Sequence, residues 1–105
     1  MILGQSAPGS AADTDVYTVP QKQIATVRVL VAERGGNSAT YRIAIRTLGV
    51  SIANKHYVAY DKALSANEVA NTVPIEIGEL DVVTVRASTA DLSFTVTGVQ
   101  EPELE

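Results

Sequence analysis

The chain contains no cysteine and no tryptophan, and only one histidine, one phenylalanine and one methionine. Without cysteine there is neither a disulfide framework nor thiolate chemistry, and the composition carries no mark of a redox compartment. A single histidine, His56, sharply limits general acid–base catalysis. Flanked by Lys55 and Tyr57 in a strand-like run, it reads as a surface or satisfied core residue. Long apolar runs are missing as well. Nothing approaches the length of a membrane span, and Met1-Ile2-Leu3 is too short for the core of a signal peptide. The expectation is a soluble chain with no membrane partner, not addressed for export.

Basic charge is also scarce. The net charge of −4 argues against a nucleic-acid partner. Arg34-Gly35-Gly36 is an isolated match to an RNA-binding pattern, with no aromatic platform beside it. The distribution says more than the total. Residues 22–62 hold seven bases and two acids, whereas residues 63–105 hold one base and eight acids. Blocks of this kind suit charge-complementary contact between subunits, with Arg42, Arg46, Glu76 and Glu79 as contact residues. Interleaving strands that neutralise the blocks within one molecule are the alternative.

What the chain does have is β-forming material. Hydrophobic residues make up 46% of it and charged ones 19%, as in an ordered globular protein. Valine, isoleucine and threonine together supply 31 of 105 residues. The length predicts one domain, able to bury roughly two thirds of its unfolded surface.

Asp15 to Val19 reads as a first strand, stopped by Pro20. Ile24 to Glu33 follows, with Ala25, Val27, Val29 and Val31 on one face and Thr26 and Arg28 on the other. Arg34 to Ser38 supplies turn residues, so that 24–47 reads as a hairpin whose second strand carries Tyr41, Ile43 and Ile45. Lys55 to Asp61 reads as a fourth strand with faces His56/Val58/Tyr60 and Tyr57/Ala59. Ala66, Val69, Ala70 and Val73 fit a helical stripe, but Asn67, Asn71 and Thr72 are poor helix formers. A loop over 61–67 and a strand from Val69 to Ile77 is the preferred reading, a short helix the alternative. Val82 to Ala87 and Leu92 to Thr97 complete about seven strands. The expected fold is all-β, a single small antiparallel β-sandwich of immunoglobulin-like or jelly-roll type over residues 15–99. Its core comprises Val27, Val29, Ile43, Ile45, Val83, Val85, Phe94 and Val96. Residues 100–105 form an acidic tail.

The chemistry-bearing patterns are thin. Gly4-Gln5-Ser6-Ala7-Pro8 resembles a nucleophile elbow, but Pro8 replaces the last glycine and no strand precedes it. Asp13 with Asp15, or Glu76 with Glu79 and Asp81, lack the dense oxygen spacing of a calcium loop. No catalytic residue, metal site or cofactor is assigned.

Four stretches nevertheless form a recognisable series: "LGQSAP" at 3–8, "DVYTVP" at 15–20, "NKHYVAYDKALSANE" at 54–68 and "LDVVTVRASTADLSFTVTG" at 80–98. In this order they resemble small β-sandwich virion structural proteins of tailed bacteriophages, associated with head, neck or tail. Family members often read "CNRG" where this chain has Ala32-Glu33-Arg34-Gly35. The resemblance implies a non-enzymatic particle component, made in the bacterial host cytoplasm and located in the virion. It implies other virion proteins as partners and a homo-oligomer, with a trimer favoured. It also suggests a role for residues 1–14, too small and polar to build a core: an extended N-terminal arm that docks on a neighbour through Ile2, Leu3, Gly4, Gln5 and Pro8, with a disordered lead-in as the alternative. A free-standing carbohydrate- or adhesin-type module is the alternative function, with Tyr41, Tyr57 and Tyr60 as the available aromatic platforms.

Overall fold

Period-two alternation governs the architecture. In the computed structural model, which describes residues 1–103, every second residue from Ala25 to Val31 is buried while Thr26 and Arg28 face solvent. Nine strands result: β1 (Ile2–Ser6), β2 (Thr14–Thr18), β3 (Gln23–Glu33), β4 (Ala39–Arg46), β5 (Tyr57–Leu64), β6 (Val69–Asn71), β7 (Ile75–Ile77), β8 (Val82–Ala87) and β9 (Leu92–Pro102). Short 3-10 turns occupy Thr47–Gly49 and Asn54–His56. The strands form two antiparallel sheets. The first runs β1-β9-β3-β6, with β7 also paired to β3, and the second runs β2-β8-β4-β5.

The inner faces meet in one core. Val27, Val29, Ile43, Val83, Val85, Phe94 and Val96 are fully buried, and Ile45 packs at the margin. Phe94 meets Tyr41 edge-to-face, with centroids 6.4 Å apart. Tyr41 is therefore a core residue and no longer available as a surface platform.

Several expectations are corrected. Residues 24–47 do not form a hairpin: β3 and β4 belong to different sheets. An apolar face shows which side of a strand turns inward, but not whether the next strand lies beside it or opposite it. The connecting corner is instead organised by Glu33, whose carboxylate accepts the backbone N–H groups of Gly35 (2.8 Å), Gly36 (2.8 Å) and Asn67 (3.0 Å).

The N-terminal segment is not an extended arm. Ile2–Ser6 pairs with β9 of its own chain, Gln5 opposite Thr95 and Ser6 opposite Phe94. The linker then lies along the other sheet, where the Ala11 N–H donates to the Ala87 carbonyl at 2.7 Å. Pro8 is buried in it. The acidic tail is ordered further than expected, since β9 pairs with β3 out to Gln23 opposite Pro102. Leu104 and Glu105 lie outside the described residues.

The stretch 69–77 is two strands, both paired with β3 and separated by Thr72-Val73-Pro74. Pro74 has no N–H to give to a ladder, and Thr72 substitutes locally: its hydroxyl accepts the Val29 N–H at 3.0 Å. The helical alternative is not adopted. The expected strand at 55–61 begins only at Tyr57 and continues to Leu64.

Candidate functional site

The outer face of the second sheet collects the polar side chains of β4 and its neighbours. Arg42, Ala44 and Arg46 alternate with inward-facing Tyr41, Ile43 and Ile45, and Arg42 lies directly opposite Arg86 of β8. Like charges in that position repel unless each has a counter-charge. Asp61 supplies one, at 2.7 Å and 3.3 Å from two Arg42 nitrogens, and Asp13 the other, 3.5 Å from Arg86. The Arg42 guanidinium holds the Asp61 carboxyl below its ordinary range, and Asp61 in turn raises the pKa of the guanidinium.

Strand β5 brings aromatics to the same place. Its register against β4 slips twice, between Tyr41 and Ile43 and again between Ile43 and Ala44. Asp61 takes up part of this irregularity with a left-handed φ of 49°. In a regular strand Tyr57 and Tyr60, three apart, would face opposite ways. Here their rings meet at 4.8 Å and 83°, and the Arg42 guanidinium lies 4.1 Å from the Tyr60 ring centre. Asn54, Tyr57 and Tyr60 line a cleft of about 460 Å³. The Arg42–Asp61 pair borders a second cleft of about 270 Å³, shared with Thr40, Arg86 and Ser88.

Arg46, on the same face, is fully engaged. It makes five hydrogen bonds: two to Asp15, one to the Thr84 hydroxyl, and one each to the Gly49 and Val50 carbonyls. That uses every N–H the guanidinium has, so Arg46 is a clamp for the chain after β4.

The remaining expected contact residues do not converge on this face. Ile2, Leu3, Gly4 and Gln5 belong to β1, and Gln5 donates to the Thr95 hydroxyl at 3.3 Å. Glu76 is exposed on β7, and Glu79 accepts the Lys22 N–H at 2.8 Å. Among the described residues the charge blocks form no ion pair with each other. The three ion pairs among the described residues join Arg42, Arg46 and Arg86 to Asp61, Asp15 and Asp13. Acids of the later block cap loops instead: Asp81 accepts the N–H groups of Leu48 and Gly78, each at 2.9 Å.

His56 is buried, and its Nδ1 accepts the Ala53 N–H at 2.9 Å, closing the turn before β5. Among the described residues, no group of three or more histidine, aspartate or glutamate side chains is placed to hold a metal ion. Reading the sequence missed Asp61 and the meeting of Tyr57 with Tyr60. The Tyr-x-x-Tyr spacing was visible, but the bulges that turn it into one cluster were not. Comparison with known protein families, with curated proteins and with solved structures finds no match to this chain.

Proposed function

We propose that the chain is a non-enzymatic structural protein of a tailed-bacteriophage virion, self-associating and attached to the particle as a capsid decoration or as a neck or tail component. The observation that carries this reading is the resemblance of four stretches taken in chain order. They fall on β1 and the turn after it, on β2, on the 3-10 turn and β5, and on β8 with β9. These elements come from both sheets, while the inner strands β3 and β4 lie outside the four stretches. The use of polar side chains supports it further: Glu33, Arg46, His56 and Asp81 hold loops, leaving few groups for chemistry. The protein acts by shape and surface, in the virion, after synthesis in the bacterial cytoplasm.

Sedimentation at high protein concentration tests the self-association. A homo-oligomer, a trimer by preference, is expected, and a monomer contradicts it. If the basic and acidic blocks meet between subunits, the oligomer weakens as salt rises, because exposed charges are screened within about 10 Å at 0.1 M salt. An oligomer indifferent to salt removes only the electrostatic part. One observation, the exposed Tyr60 packed against the half-buried Tyr57, favours the second reading, a free-standing carbohydrate- or adhesin-type module. A monomer that binds glycans would select it.

A further inference from the structure

An exposed aromatic side chain on a sheet edge invites unwanted pairing. Strand β5 is such an edge, and Tyr60 on it is 56% exposed. A one-residue register slip between Tyr57 and Ala59 puts Tyr60 and Tyr57 on one face, and a second slip follows beside the left-handed Asp61. Irregularities of this kind re-aim side chains beside sites, and backbone strain points to a use when it is observed rather than assumed.

The groups assembled are specific in kind. Two tyrosines present ring faces and hydroxyls. Arg42 spends its Nε and Nη2 on Asp61 and lies over the Tyr60 ring. The Asp61 side chain is half exposed, leaving lone pairs open to solvent. Asn54, on the wall of the cleft, brings both a donor and an acceptor. Donors and acceptors therefore stand side by side next to aromatic faces, and the Arg42–Asp61 pair has no net charge. A ligand matching this set carries apolar C–H faces, many hydroxyls that both donate and accept, and no charge of its own. We propose that Asn54, Tyr57 and Tyr60, which line a cleft of about 460 Å³, together with the adjoining Arg42–Asp61 pair on the neighbouring cleft, form a binding site for a neutral carbohydrate.

A protein partner fits less well. An apolar partner surface would strip water from the Arg42–Asp61 pair without replacing its hydrogen bonds, a desolvation penalty that sugar hydroxyls avoid. The inference deepens the binding-module reading but does not need the module to be free, since a particle-borne subunit can present the same face.

The test is an amide-resolved NMR titration of the full chain with neutral gluco-, galacto- and manno-oligosaccharides at millimolar concentration, with heparin as the charged comparison. At least one neutral sugar is expected to shift the signals of residues 54–61. Tyr60→Ala, an exposed change that keeps the unfolding midpoint, should weaken that sugar about tenfold. Arg42→Lys, which keeps the charge but loses the planar donor fork, should also weaken it, whereas Val99→Ala on the first sheet should not. The proposal is overturned if no neutral sugar shifts residues 54–61, if the shifts survive Tyr60→Ala, or if heparin alone binds. Cross-linking through position 60 that captures only a protein, with no sugar response, assigns the face to a protein partner and overturns it equally. None of these outcomes alters sedimentation, so the virion reading stands or falls separately.

Discussion

Gly4 of β1 lies against the backbone carbonyl of Val16 in β2, with no room for a side chain between them. This contact joins the edges of the two sheets, and it explains why β1 carries a glycine at position 4. Replacing Gly4 with alanine should destabilise the protein by about 1–3 kcal/mol, because a methyl group would have to push backbone aside. Gly9, in the linker, has open space where a side chain would go, so Gly9→Ala should be close to neutral. Urea denaturation of the two variants checks this, and equal effects would show that β1 does not pack as described.

Removing residues 2–6 should lower the unfolding midpoint. The truncation uncovers the β9 edge from Phe94 to Thr97 and takes away Leu3, which packs against the core. A true arm could be removed without loss. Calorimetry of the truncated chain distinguishes the two, since an unchanged midpoint would restore the arm.

Phe94 is the one phenylalanine and is fully buried against Tyr41. Phe94→Ala should destabilise the sandwich by about 3–5 kcal/mol, a large part of the roughly 5–15 kcal/mol that holds a domain of this kind together. Chemical denaturation measures it, and a loss below about 1 kcal/mol would remove Phe94 from the core's centre.

Glu33 should give the corner between the sheets a pH dependence. The Asn67 N–H, followed by those of Gly35, Gly36 and Asn37, holds its carboxyl below the ordinary value, with burial opposing. A carboxylate whose pKa is lower in the folded state than in the unfolded one stabilises the fold above the unfolded value. That stabilisation is lost as pH falls through the folded value. Asp61, lowered by Arg42, acts with the same sign. Glu33→Gln should therefore melt lower than the parent at neutral pH, lose less on acidification, and approach the parent curve in acid. Melting curves that stay parallel at every pH would show that the charge of Glu33 has no part in the corner.

Strand identity was legible where alternation ran long and uninterrupted. Ala25 to Val31, Val82 to Ala87 and Leu92 to Thr97 lie where the pattern puts them. Sheet partnership was not legible. The same apolar face on β3 and β4 serves a hairpin or a corner equally well, and the choice depends on β9, some sixty residues away in sequence. The N-terminal strand was hidden because Gly4 and Ser6 look like linker until Val16 is seen beside them. At the candidate site the residue types were visible and their meeting was not, since a one-residue slip between Tyr57 and Ala59 reverses the parity that would separate Tyr57 from Tyr60.

Quantitative mass spectrometry of density-purified particles tests the proposal that this chain is a component of a virion. The chain is expected to co-purify with intact particles in a fixed ratio to the major capsid protein, a ratio matching a symmetric position on the head, neck or tail. A chain found only in the soluble fraction of the lysate, absent from particles that are otherwise complete, would contradict it.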